Sequence, residues 1–240
     1  MKIVLSFVAI VALLLVLGAL TVIALPRGLD TATASAPASV AGAPASQEPA
    51  APQSTTGYNW IAIPLNTFQA GDTAATLANH VQTNNNGTVT VQTVSRWNAT
   101  AQGLDIYFHQ LGLGDFPISN QSAYRVETTG PASAVWTMVG DVPAIGSYNY
   151  TLLETGGTDY NWIMDPLDRP SNSQASVLAN DIQTNASAPV TVQTISKWNA
   201  TAQSYDIYFH QLGLGDFDVR PGYPYRVEVD VTTGSSVTWP

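Results

Sequence analysis

Asp105, Tyr107 and His109 stand two positions apart in LDIYFHQ, and the set returns as Asp206, Tyr208 and His210 in YDIYFHQ. A carboxylate, a phenol ring and an imidazole side by side form a set able to stack on a sugar ring and bond its hydroxyls. Alternation along a strand would place the three on one face and send Ile106 and Phe108 to the other, the expected core side. The competing expectation is that cross-strand neighbours cover the trio and use its Tyr and His as half-buried packing residues. Other chemistry finds less to work with. The chain has three histidines, none beside a Gly-x-Ser-x-Gly elbow, so a Ser-His-Asp triad lacks its strained nucleophile turn. Paired acids for glycoside cleavage would come from Asp105, Asp115 and Glu127, or from Asp206, Asp216 and Glu228. They would need to face each other at about 5–9 Å, which spacing alone does not set. With no HExxH, no calcium loop of alternating acids and no cysteine, the expectation is no catalytic residue, no metal site and no cofactor.

The trio belongs to a module carried twice. Val89 to Phe116 returns as Val190 to Phe217 with 24 of 28 positions identical, the exceptions being Val94/Ile195, Arg96/Lys197, Gly103/Ser204 and Leu104/Tyr205. Flanking similarity widens the units to 58–140 and 160–240, with 141–159 as a linker, so two tandem homologous domains are expected. A unit of roughly 80 residues is near the lower size at which a domain hides enough surface to fold alone.

Within each unit the periodicities favour strands. YNW at Tyr58 and Tyr160 opens a short β-rich segment closed by proline. Apolar residues at helical spacing over 73–81 and 173–182 predict one short helix per unit, with Asp72 or Ser173 near its start as a cap. Val89, Val91 and Val94 change parity, which predicts a bulge near Gln92-Thr93. NATAQG has hairpin-turn chemistry, with Gly103 free to take positive φ, and Leu104–Gln110 is the return strand. Further strands are expected at 123–127 and 133–139, mirrored at 225–229 and 236–239. The fold class expected is mainly β, an antiparallel sheet or sandwich or a small barrel, with one short helix per repeat. Of the six tryptophans, Trp60, Trp97, Trp136, Trp162, Trp198 and Trp239, most are expected to be core anchors. Arg125 with Glu127, and Arg226 with Glu228, share a strand face and are expected to pair as solvated ions.

The run from YNW through WNATAQ and a GDF turn to GYPYRVEVD and a terminal TWP resembles a tandem β-rich module of exported bacterial cell-surface proteins. The similarity covers roughly residues 58–240, and its most specific pieces are Trp97–Thr100, Gly222–Tyr225 and Thr238–Pro240. It carries over no activity and no catalytic residues. Copy one departs at Asn120–Tyr124, where copy two reads Pro221-Gly-Tyr-Pro-Tyr225, so work done by that turn belongs to one copy only.

Ahead of the modules, an uncharged apolar run from Ile3 to Leu25 follows Lys2 and ends at Pro26-Arg27. As a helix, 23 residues span about 34 Å against a hydrocarbon core of roughly 30 Å, so residues 1–27 are expected to be a membrane anchor or a removable signal peptide. Lys2 and the amino terminus would keep that end inside and everything after Arg27 outside. Residues 28–57 are rich in Ala, Pro, Ser and Thr and are expected to be a disordered stalk. The formal charge is −9, with eight Lys and Arg, none clustered, so nucleic acid is not an expected partner. The function expected is non-catalytic, structural or adhesive at the cell surface. The alternative is a bivalent carbohydrate-binding module whose partner is a cell-envelope or extracellular polysaccharide. A hydrolase comes third. The membrane is a partner through residues 3–25 if they are retained.

Overall fold

The alternating runs of each repeat pair into an open, four-stranded antiparallel sheet with one helix laid on it. The structure is a computed structural model that describes residues 57–86, 88–130, 134–154, 159–231 and 235–240. All the described residues belong to one compact unit. Residues 1–27 and the stalk up to residue 56 lie outside the described residues. Among the described residues, no helix is long and apolar enough to cross a membrane.

Repeat 1 runs β1 (Gly57–Ala62), α1 (Ala74–Thr83), β2 (Thr90–Asn98), β3 (Gly103–Phe108) and β4 (Ala123–Thr129), in sheet order β1-β4-β2-β3. A further strand, β5 (Tyr150–Leu153), precedes repeat 2, which runs β6 (Tyr160–Met164), α2 (Ala175–Asn185), β7 (Val190–Asn199), β8 (Ser204–Phe209), β9 (Pro224–Val231) and β10 (Ser236–Trp239). Its sheet order is β6-β9-β7-β8, and β10 pairs with β5 in a separate ribbon. Neither four-stranded sheet closes into a barrel. Because β4 enters antiparallel between β1 and β2, those two strands run parallel without touching, and the crossover between them carries the helix.

The predicted bulge is present in both copies, as register shifts between Val91 and Thr93 and between Val192 and Thr194. Several local expectations are corrected. The helices begin after Thr73 and Gln174, not after Asp72 and Ser173; Asp72 accepts from the Gln69 N–H at 2.7 Å in the preceding turn. The left-handed turn residue is Gln102 (φ 47°), with Gln203 its counterpart, while Gly103 already belongs to β3. Residues 134–139 form no strand; they hold a single bridge, Asn85 to Trp136, and Ser133 lies outside the described residues. The segment read as a linker contains β5. Glu127 and Glu228 accept from Thr93 and Thr194, at 3.0 and 2.9 Å. Arg125 stacks on Tyr58, and Arg226 on Tyr160 and Tyr205. The ion pairs among the described residues are Arg96–Asp105, Arg169–Asp181 and Lys197–Asp206.

Strand register decides the two faces of each sheet. Val94 pairs with Val126 and Tyr107, and this face packs on Leu77, Ala78 and Val81 of α1. Burying such aliphatic side chains stabilises by about 1.5–3 kcal/mol each before entropy is counted. The opposite face carries Trp60, Ser95 and Arg125, and it meets the other repeat: Trp60 and Trp162 stack with ring centroids 3.4 Å apart.

That meeting is reciprocal, and it explains the repeated WNATAQ. Trp97 Nε1 donates to the Tyr160 carbonyl at 2.5 Å, and Gln102 accepts the Tyr160 N–H at 2.8 Å. In mirror fashion Trp198 Nε1 donates to the Tyr58 carbonyl at 2.8 Å, and Gln203 accepts the Tyr58 N–H at 3.0 Å. Tyr58 and Tyr160 lie on β1 and β6, the edge strands of their sheets, so each hairpin turn satisfies outward-facing backbone groups of the other repeat. Asn98 and Asn199 shape these turns by accepting from the Ala101 and Ala202 N–H groups, both at 3.0 Å. The repeats form one interlocked body.

The repeated GLGDF is a tertiary helix cap. Asp115 Oδ1 accepts the Ala75 N–H, and Asp216 takes the Ser176 N–H at 3.1 Å and its hydroxyl at 2.6 Å, satisfying first-turn donors that the helices' own residues leave open. Partial burial works against the Asp216 carboxylate, but the Ser176, Phe217 and Ala175 donors outweigh it and hold its pKa below the ordinary carboxylate value. The turn reaches the helix because Gly114 and Gly215 take φ near 80° with their Cα atoms against the Ile106 and Ile207 carbonyl oxygens. A Cβ would collide with that oxygen. Gly215→Ala is therefore expected to destabilise by more than about 2 kcal/mol, read by chemical denaturation, whereas Gly213→Ala, where a Cβ meets open space, should show only the smaller cost of its positive φ.

Candidate functional site

Tyr107 on β3 and Tyr208 on β8 face inward, reversing the expected orientation, while Asp105 and Asp206 stay part-exposed and His109 and His210 lie just past the strand ends. Tyr107 is 5% exposed and Phe108 45% exposed, with Tyr208 at 4% and Phe209 at 45%. The cause is register, since Tyr107 pairs with Val94 on the face that α1 covers. His109 is half-buried. Its Nδ1 lies 3.4 Å from the Tyr107 hydroxyl and its Nε2 3.0 Å from Gln82 Nε2 on α1, while Gln82 Oε1 accepts the Val91 N–H at 2.8 Å. With the Gln82 oxygen occupied, its amide donates to Nε2, which leaves Nδ1 as the donor to the tyrosine. Tyr208, His210, Gln183 and Val192 repeat this chain. Asp105 pairs with Arg96 at 2.9 Å, and Asp206 with Lys197 at 3.9 Å. Burial, helped by Asp115 and Asp216, raises the pKa of Tyr107 and Tyr208. The structure brings Tyr107 and His109 together and uses them to tie the helix to the bulge.

A cleft of about 460 Å³ opens elsewhere, between the repeats. One wall is repeat 1: Asn59, Trp60 and Ile61 of β1, Val126 and Thr128 of β4, Val81 and Asn85 at the end of α1, and Ala134 and Trp136 beyond β4. The other wall is repeat 2, with Lys197, Trp198, Asp218, Arg220 and the turn Tyr223-Pro224-Tyr225. That turn is where the two copies differ most, and its Gly222 N–H donates to the Asp165 carbonyl at 2.7 Å. Trp136 is held in place by donating from Nε1 to His80 Nδ1 at 3.0 Å. Burial lowers the His80 pKa, which favours the neutral ring that this bond requires.

The counterpart of this cleft on repeat 2 is filled. There β5 lies against β10, with Leu152 fully buried and Tyr150 stacked on Trp239 at 5.6 Å. Asn161 grips the strand at both backbone groups of Leu153, accepting its N–H at 2.8 Å and donating to its carbonyl at 3.0 Å. The Tyr150 hydroxyl donates to the Gln121 carbonyl of repeat 1 at 3.0 Å. Asn59 is the equivalent of Asn161, and its buried Oδ1 takes no hydrogen bond.

Sequence reading missed Asn59 and the cleft, although the copy-specific Gly222–Tyr225 turn pointed toward it. Chemically the cleft offers three indole rings, two amides, two cations and a carboxylate, a set for binding. Among the described residues no group of three or more His, Asp or Glu is placed to hold a metal. No family model matches the chain, and no curated protein or solved structure matches it.

Proposed function

We propose that the chain is a non-catalytic, cell-surface adhesive protein, exported by its apolar leader, held on the Ala/Pro/Ser/Thr stalk, and binding its partner in the cleft between the repeats. The single observation that carries this reading is the cleft itself: lined by Trp60, Trp136 and Trp198 from both repeats and, among the described residues, open where its counterpart is filled. The apolar run and the stalk support export, as does the resemblance to tandem modules of exported bacterial surface proteins. Brief proteolysis of intact cells carrying the full chain is expected to release fragments from residues 57–240. Full protection until the cells are lysed would overturn the surface reading.

The carbohydrate alternative draws on the same indoles, which suit stacking on sugar rings, with Asn59, Lys197 and Asp218 as hydroxyl partners. Because Tyr107 and Tyr208 are buried, His109 and His210 are tied to the helices, and Asp105 and Asp206 are paired with Arg96 and Lys197, a sugar would take the cleft. Retardation of the chain in polysaccharide-containing gels, abolished by Trp136→Ala and kept in His109→Ala, is the expected signature of that reading.

A further inference from the structure

We infer that the cleft on repeat 1 is a strand acceptor, whose occupant is an extended peptide segment of a partner polypeptide carrying an aromatic residue and, two positions later, a branched aliphatic one. This rests on the reading that the cleft is the binding face. Repeat 2 supplies the comparison within the same molecule. Aligned on the repeat, Asn59 stands for Asn161, Val126 for Val227, Ala134 for Val237 and Trp136 for Trp239. The groove these residues form in repeat 2 holds Tyr150-Thr-Leu-Leu153 as a paired strand.

The backbone of repeat 1 is set up for the same pairing. The bridge between Asn85 and Trp136 uses the Val135 carbonyl and the Thr137 N–H, both facing the end of α1. In an antiparallel bridge of that kind the N–H and C=O of the central residue point the other way, so those of Trp136 are directed toward the cleft. Trp239 is oriented alike, since Thr238 bonds Ser187 while Trp239 faces Tyr150 of β5. Asn59 adds a buried amide oxygen without a donor, where Asn161 receives the N–H of the seated strand. A buried acceptor left empty is costly, and a strand N–H would satisfy it. Addition of a strand to such an edge gains affinity from backbone bonds and selectivity from alternate side-chain pockets.

The residue types of the occupant follow from β5. Tyr150 lies on Trp239 and Leu152 fills the space below, so the segment needs a ring over Trp136 and an aliphatic group two residues on. The chain's own residues at the equivalent distance before β1 are Glu48-Pro-Ala-Ala51, with Glu in place of Tyr150 and Ala in place of Leu152. They bring neither the ring nor the bulk, which favours a partner polypeptide as the source.

The test uses the full chain and a synthetic peptide with the sequence of residues 147–154, SYNYTLLE, titrated by tryptophan fluorescence and calorimetry. Saturable binding of one peptide per chain is expected, weakened about tenfold or more by Asn59→Ala in the protein, or by alanine at the peptide's second tyrosine or first leucine, as loss of a buried bond or a filled pocket implies. Ala134→Trp, which blocks the groove beside the existing Trp136, should abolish binding while circular dichroism shows the chain folded. No saturable binding up to about 1 mM, or binding indifferent to both protein variants, would overturn the inference. A polysaccharide that binds, and whose binding Ala134→Trp removes, while the peptide does not, would retain the cleft as the binding face and reject the strand.

Discussion

Trp60→Ala is expected to lower the stability of both repeats together, by about 3–5 kcal/mol as for other buried large-to-small changes. Trp60 is 7% exposed, stacks on Trp162 across the junction, and lies beside the clasps that Trp97, Gln102, Trp198 and Gln203 make on the opposite edge strands. Removing its ring leaves a cavity where the two sheets meet and takes away the stacking partner of Trp162. Equilibrium denaturation followed separately by fluorescence and circular dichroism should show one transition before and after the change. The Trp60→Ala, Trp162→Ala double-mutant cycle should return a coupling of about 0.5–1.5 kcal/mol, the usual worth of an aromatic pair beyond its burial. Two separable transitions in the unchanged chain would contradict the interlocked body, because residues 42–240 would then behave as independent globules.

Asp165→Asn is expected to raise stability at neutral and alkaline pH. Asp165 takes the place that Ile63 holds in repeat 1, and it is fully buried, with one oxygen accepting from Asn172 at 2.9 Å and the other without a partner. Burial pushes its carboxyl up to about 7; the bond from Asn172 opposes the rise without cancelling it, and Asp181 and Asp168 add to it. In the unfolded chain this group loses its proton near 3.8, while the folded chain keeps it until about pH 7. Over that window the unfolded state binds fewer protons, so stability falls as pH rises from about 4 to about 7 and then levels off. The expected loss is a few kcal/mol, on the order of 4 for a shift of this size. Asp216 has the opposite sign, since its lowered pKa gives stability that is present above the ordinary carboxylate value and lost as pH falls through the folded one. The difference between the parent and Asp165→Asn across pH 4–8 isolates Asp165: the two curves should converge near pH 4, diverge steadily from about pH 4 to about pH 7, and keep a constant separation above it. Parallel curves would show that the buried acid does not titrate in this range.

The repeat, the helix in each copy, the antiparallel strands and even the bulge near Gln92 were readable from residue order, because each is a local pattern in which period and turn chemistry report backbone geometry. The orientation of Tyr107 was not. Alternation says that Tyr107 and Phe108 face opposite ways, but here the helix covers one sheet face and the other repeat covers only part of the second, where Phe108 stays exposed. Which side receives the phenol was decided by its pairing with Val94. WNATAQ reads equally well as a hairpin turn, and so it is; that its Trp and Gln also grip the backbone of Tyr58 or Tyr160 depends on groups about 60 to 145 positions away. β5 likewise has too few residues to show a period, and its partner β10 is the last strand of repeat 2, more than 80 positions away.

Residue order by itself determined two copies of one β-rich unit, with an apolar run and a Pro/Ala-rich stretch before them, since composition and period are properties of neighbours along the chain. Only the tertiary structure decided that the copies interlock, that Tyr107 and Tyr208 turn inward, and that one groove is filled by β5 while its twin is open among the described residues. Those outcomes depend on which surfaces exclude water from one another, and that is settled by contacts between distant residues after the strands have paired.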